Sequence, residues 1–161
     1  MSNASIVWGN FALGSRLKLL HENLNRDIDQ FYVDSNIEFK TRYYPVFHLL
    51  SYKHNQTIKS LALQAGYSHS AMSQTIKSMS SLDYVCLEVG ADARERIVKI
   101  TETGRDILHI VQDIWLKINQ VNQQFINESN VNFFDALEQL ESSLDNESMH
   151  QRLTNLYKQN K

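Results

Sequence analysis

Chain breakers are scarce here: the 161 residues include one proline and five glycines. Strand-rich folds need many tight turns, so so few turn residues favour helix. Cysteine is nearly absent as well. A lone Cys86 excludes an intramolecular disulfide and a thiolate zinc cluster, and it suits a reducing cytosol. No apolar run approaches the roughly 18–20 residues of a membrane span. No basic segment followed by an apolar one opens the sequence, as it would in a secretory signal. A cytoplasmic location with no membrane partner is therefore expected. The histidines are scattered, and no pair at helical ligand spacing has carboxylates nearby, so no metal site is expected. Without a nucleophile–base constellation or a phosphate loop, neither a cofactor nor enzymatic activity is expected.

Another absence is local. From Phe39 to Leu82 there is no Asp or Glu, yet Lys40, Arg42, Lys53, Lys59 and Lys77 lie there with His48, His54 and His69. From Asp106 onward eight acids face only four bases. The net charge of −2 hides this segregation, and distribution says more about partners than the sum does. Apolar residues make up 42% of the chain, enough for a real core.

Periodicity then sets out the elements. Trp8, Phe11, Leu13, Leu17, Leu20, Leu24, Ile28 and Phe31 recur mostly three or four apart, which predicts one helix over Ile6–Tyr32. Such a helix is roughly 40 Å long at about 1.5 Å per residue, more than a small core can cover, so its surplus apolar stripe points to a partner chain. A loop follows over 33–40. A second helix is predicted at about Tyr43–Lys53, with Pro45 in its first turn, where a missing N–H costs nothing. Long helices are also predicted over Glu102–Asn127, Val131–Leu144 and Glu147–Lys158.

The stretch from Thr57 to Thr101 has a different plan. Thr57 can cap a short helix faced by Ile58, Leu61, Ala62 and Ala65, and Gly66 can end it in a left-handed conformation. Ser68 can cap the next helix, whose Ala71, Met72, Ile76, Met79 and Leu82 point inward. That leaves His69, Ser70, Ser73, Gln74, Lys77 and Ser78 outside, a face with no acid and many hydrogen-bonding groups. Short polar side chains and amides can reach base edges, while a lysine can reach phosphate. Asp83 ends that helix. Tyr84–Val89 and Arg96–Ile100 read as a two-stranded ribbon around a turn at Gly90–Ala93, and Thr101 caps the helix that follows. The sum is mainly α with a small β-wing: a winged helix-turn-helix with long N- and C-terminal dimerisation helices.

Three segments carry a resemblance to the MarR family of dimeric winged helix-turn-helix transcription regulators. They are TIKSLALQAGYSHSAMSQTIKSM, the D-x-R of Asp92-Ala93-Arg94, and IVKITETG, with Thr101 and Gly104 at T-x-x-G spacing. The match is close over Arg42–Gly104 and topological in the flanking helices. LGSRLKLL, RYYPVFHLL and SHSAMSQ are similar to MarR-like modules sometimes fused to a GNAT acetyltransferase domain. With the chain ending at Lys161, no acetyltransferase activity is expected. The sequence departs from the family at Asp83, where glycine is usual, and in a wing about one residue short that lacks an early basic residue.

The resemblance implies a homodimer on double-stranded DNA, a regulator and more specifically a repressor, working on a pseudo-palindromic operator. Its parts would be 1–41 and 105–161 for dimerisation and 42–104 for DNA. Candidate DNA contacts are Thr57, Lys59, Ser68, His69, Ser70, Ser73, Gln74, Lys77, Asp92, Arg94 and Arg96. Arg94 would enter the minor groove with Asp92 holding it; a solvated turn with local ion pairs is the other reading. The resemblance also implies a small aromatic effector, with Phe11, Tyr43, Tyr44, Phe47 and His48 as its pocket, against plain core packing of the same residues. Cys86 reads as a buried, inert thiol, with a redox sensor as the other reading. Rival functions on the same scaffold are a protein-interaction module and an acetyltransferase-related accessory subunit.

Overall fold

The computed structural model describes residues 9–90, 95–129 and 131–159. The chain divides into two compact units, Met1–His109 and Ile110–Lys161.

In the first unit a 3-10 turn, Gly9–Ala12, leads into α1 (Leu13–Asp34). The expected start at Ile6 lies outside the described residues, and the α-helix proper begins only after Gly9 and its φ of 51°. A second 3-10 turn, Thr41–Tyr43, precedes α2 (Tyr44–Tyr52), with Pro45 in its first turn. Then come β1 (Gln56–Thr57), α3 (Ile58–Gln64), α4 (His69–Ser81), β2 (Val85–Val89) and β3 (Arg96–Ile100). The strands form an antiparallel sheet in the order β1-β3-β2. The ribbon expected from the sequence is thus one strand short of the sheet observed.

That third strand is held by a side chain. Gln56 is buried, and its Nε2 donates to the Leu49 carbonyl at 3.0 Å. Its Oε1 accepts from Ser60 Oγ at 3.0 Å and Gln64 Nε2 at 2.5 Å. One satisfied amide thereby fastens β1 to α2 and α3, as a buried polar group requires.

Three helices of this unit end in the same way. A residue at positive φ follows the cap: Asn36 at 55°, Gly66 at 68° and Asp83 at 57°. The next residue's N–H returns to a carbonyl inside the helix: Ile37 to Tyr32, Tyr67 to Ala62 and Tyr84 to Met79, each at 2.9 Å. This is the Schellman geometry, which uses up carbonyls a helix end leaves unpaired. Asp83 performs it without being glycine. Its carboxylate accepts from Thr103 Oγ1 at 2.8 Å, and its carbonyl accepts from Thr101 Oγ1. Asn36 also carries α1 to Asp34, two residues past the expected end.

The core lies between α2, α3, α4 and the sheet. Val46, Phe47, Leu50, Leu61, Met72, Ile76, Met79, Val85 and Val98 are all buried. Thr75 is buried too, whereas Ala71, expected inside, is exposed. The helix therefore turns a slightly different face inward than apolarity alone suggests. An aromatic cluster closes one side: Phe39 lies 5.0 Å from Tyr32, 5.6 Å from Tyr43 and 5.8 Å from Phe47, ring centre to ring centre. Burying one such ring stabilises by about 1.5–3 kcal/mol.

α5 (Glu102–Glu128) starts in this unit. Thr101 Oγ1 accepts from the Gly104 N–H at 3.0 Å, the expected cap. Gly104 is needed for a separate reason. A Cβ there would lie 2.0 Å from the Tyr84 carbonyl oxygen, so only glycine lets the helix start this close to the strand.

The second unit holds the rest of α5 together with α6 (Phe133–Asn146) and α7 (Met149–Gln159). Asn132 caps α6. Ser148 and Gln151 make a reciprocal cap at the start of α7: Ser148 N–H donates to Gln151 Oε1 at 2.8 Å and Gln151 N–H to Ser148 Oγ at 3.3 Å. Arg152 ties the α6–α7 turn by donating to the carbonyls of Ser143 and Glu147. Neither α6 nor α7 contains a buried residue. Among the described residues, no helix is long and apolar enough to cross a membrane.

Candidate nucleic-acid interface

Two short helices create the candidate surface, and each is started by a hydroxyl. Thr57 Oγ1 accepts from Ser60 N–H at 3.1 Å to open α3, and Ser68 Oγ accepts from Ala71 N–H at 3.2 Å to open α4. Such caps contribute about 1 kcal/mol each. Both residues were singled out as DNA contacts, and both hydroxyls are already engaged in capping. Gly66 makes the tight turn that sets α4 against α3.

On α4, Met72, Thr75, Ile76 and Met79 face the core, which fixes the opposite face outward. There His69, Ser70, Gln74 and Lys77 are exposed and Ser73 is half-buried. Lys59 is exposed in the first turn of α3. Neither Lys59 nor Lys77 enters an ion pair among the described residues. Their ammonium groups remain available to an outside anion. The nearest side-chain partner within this face is weak: Ser73 Oγ is 3.5 Å from His69 Nδ1.

Ser78, placed on the outer face from the sequence, turns out to be occupied. Its Oγ is 2.7 Å from the Tyr43 hydroxyl and accepts from Arg42 Nη2 at 2.9 Å. Sequence reasoning noted Arg42 only as one base among several. An approach between residues 35 positions apart has no local signature in a sequence.

The ribbon leaves the core as it lengthens. Val85, Leu87 and Val89 share one face, and exposure climbs along them from 1% to 42% to 64%. Its far end therefore projects into solvent. Glu88 and Lys99 pair at 2.6 Å on the opposite face. Cys86 stands across from Lys99 on that face and is half-buried, not enclosed as expected, because only the Val85 side of the strand meets the core. Arg96 is exposed at the start of β3. Asp92 and Arg94, the other wing candidates, lie outside the described residues.

The five effector-pocket candidates differ in burial. Tyr43 and Phe47 are buried in the aromatic cluster. Tyr44 is stacked on His48 at 5.3 Å, and His48 meets Tyr52 at 5.0 Å, along the outer side of α2. Phe11 is 96% exposed, which leaves it outside any enclosed cavity. Core packing accounts for Tyr43 and Phe47, and the Tyr43 hydroxyl has its polar partner in Ser78. Among the described residues no group of three or more His, Cys, Asp or Glu is arranged to hold a metal ion.

A capped helix pair with a projecting ribbon directly after it defines a winged helix-turn-helix. The chain has the fold of the MarR-family transcriptional regulators. It is similar to the MarR/EmrR family regulator of Acinetobacter sp. ADP1, with TM-score 0.67 and 17% identity over 83% of this chain and 94% of that one. It is also similar to S. aureus MepR in complex with DNA, with TM-score 0.67 and 18% identity over 82% and 98%. A third likeness is to Streptomyces coelicolor PcaV in complex with its natural ligand, with TM-score 0.65 and 16% identity over 88% and 98%. At these identities the likeness is one of fold. No family model matches the sequence, and no curated protein does.

Proposed function

We propose that the chain is a sequence-specific DNA-binding transcriptional regulator, a homodimer acting as a repressor on a pseudo-palindromic site. The observation that carries this reading is the face of α4. It is exposed, free of acid and lined by His69, Ser70, Ser73, Gln74 and Lys77. Ordinary wet helix surfaces carry Glu as well as Lys; a surface without acid meets the phosphate backbone with no like-charge repulsion. Gln74 and its neighbours would read base edges in the major groove, while Lys59 and Lys77 would hold phosphates. Thr57 and Ser68 would contribute through the helix starts they cap. Arg94, braced by Asp92, and Arg96 would serve the wing's contact with the minor groove.

Residues 42–104 would form the DNA-reading part, and 1–41 with 105–161 the dimerisation parts. Large apolar side chains left exposed on α6 and α7 support the second of these assignments, among them Phe134, Leu140, Leu153 and Leu156. A second copy would cover them and set two α4 helices about one DNA turn apart, roughly 34 Å. MepR, captured with DNA, supports the partner class, and PcaV, captured with its natural ligand, supports an effector.

Gel-shift titration of random and selected duplexes at about 50 and 200 mM salt tests the reading. A steep loss of affinity with salt, with a sequence preference retained, is the expected result. Absence of binding at the lower salt would sink it and favour a protein-interaction role. In the same assay Gln74→Ala should alter the preferred sequence more than the nonspecific affinity.

A further inference from the structure

Arg42 belongs to neither of the two short helices, yet its guanidinium lies against α4. It is carried by the 3-10 turn Thr41–Tyr43, and that turn is fixed from α1. Asp29 Oδ1 accepts from both the Thr41 N–H at 2.6 Å and the Thr41 Oγ1 at 2.7 Å. From this anchored backbone Arg42 Nη2 donates to Ser78 Oγ at 2.9 Å, and the guanidinium carbon stands 5.4 Å from the centre of the Tyr43 ring. The Tyr43 hydroxyl meets the same Ser78 oxygen at 2.7 Å. Ser78 is one helical turn beyond Gln74, on the flank of the outward face.

We propose that Arg42 is a DNA-backbone contact, held on the flank of α4 by Ser78 and Tyr43. This rests on the reading of α4 as the helix that enters the major groove. A guanidinium has five N–H donors, and Ser78 takes one of them. Arg42 is exposed and forms no ion pair among the described residues. When the helix is in the groove, its flank faces the groove wall, which is phosphate. A planar fork with donors to spare suits a phosphate better than it suits a base edge reached from the side. Fixing the fork in advance on Ser78 and the Tyr43 ring lowers the entropy lost on contact. Arg42 would thus add affinity for every sequence and help set the angle at which α4 lies, with no readout of its own.

The test compares wild type, Arg42→Gln, Arg42→Lys and Ser78→Ala by salt titration of DNA affinity and by sequence selection, with unfolding midpoints checked for each. Arg42→Gln should weaken binding to all sequences and make the slope of log affinity against log salt shallower by about 0.9 per protomer. The selected sequence should not change. Arg42→Lys keeps the charge without the fork, so the slope should hold while affinity falls. Ser78→Ala should do the same more weakly. A wild-type slope in Arg42→Gln would overturn the proposal, as would a changed sequence preference. Full affinity in Ser78→Ala would overturn the positioning by Ser78. If wild type itself fails to bind DNA, the regulator reading falls and this proposal with it; if wild type binds with a steep slope and Arg42→Gln matches it, this proposal falls alone.

Discussion

The core helices of the first unit and the helices of the second treat their apolar residues in opposite ways. In the first, Val46, Phe47 and Leu50 on α2 are fully buried, in a core where, among the described residues, no buried side-chain polar atom is unsatisfied. In the second, α6 and α7 are as regular and as carefully capped, yet Phe134, Leu140, Leu153 and Leu156 are each about half exposed or more. Helix formation and burial are thus separable. Caps and periodicity make the helix; something outside the helix must cover its apolar stripe. The core helices of the first unit have that cover within the unit, whereas α1 and the second unit leave large apolar side chains exposed, Leu20 and Phe31 among them on α1. A reading head with a core of its own and helices completed by association are what the proposed dimer requires.

The sharpest way to break this contrast is to cut the same kind of atom from each side. Phe47→Ala removes a ring stacked 5.8 Å from Phe39 and 6.1 Å from Tyr84, at a position with no exposure. It should destabilise the first unit by about 3–5 kcal/mol, independent of protein concentration. Denaturant unfolding followed by tyrosine fluorescence would check this, and a loss under about 1 kcal/mol would mean the cluster is not a true core.

In the second unit Leu153→Asp, at a position 59% exposed in the single chain, should leave that core intact. Its effect should appear only in association. Each protomer forfeits about 1.5–3 kcal/mol of burial at the proposed interface and must desolvate a carboxylate as well. Sedimentation at several concentrations should show a shift from dimer to monomer, and DNA affinity should drop to that of a single reading head. An unchanged mass would mean that this face is not where two copies meet.

Much of this contrast was legible beforehand, for reasons that particular residues make plain. Gly66, Ser68, Asp83 and Thr101 mark helix ends by local chemistry, so a reader of the sequence finds them where the structure has them. The inward positions Met72, Ile76 and Met79 follow from period alone. What escaped depends on contacts between distant residues. β1 is two residues long and exists because Gln56 pairs with Val98 and because its amide is caught by Leu49, Ser60 and Gln64. The engagement of Ser78 by Arg42 and Tyr43 crosses 35 or more positions. The exposure of Phe11 and Tyr44 was not legible either, because aromaticity does not reveal which side of an element is covered.

The smallest expected effect probes how tightly the first unit is closed. Tyr84 lies in the aromatic cluster and donates its hydroxyl proton to the Glu38 carbonyl at 2.5 Å. Burial raises its pKa above the usual 10, and the charges of Glu38 and Tyr43 push the same way. The folded state therefore holds this proton more firmly than the unfolded state does. The resulting stability is fully present below about pH 10 and is lost as pH rises through the higher folded value. Tyr84→Phe removes the proton and leaves the Glu38 carbonyl without its donor, so it should cost about 1 kcal/mol near neutral pH. The gap between wild type and variant should then narrow above pH 10, because only wild type has this group to ionise. Lysines titrate in the same range, but they are common to both proteins and cancel in the difference. Urea unfolding at pH 7, 9 and 10.5 would measure the gap. A gap constant across that range would mean that the hydroxyl is already reached by water and that the closure of the first unit is looser than its buried rings indicate.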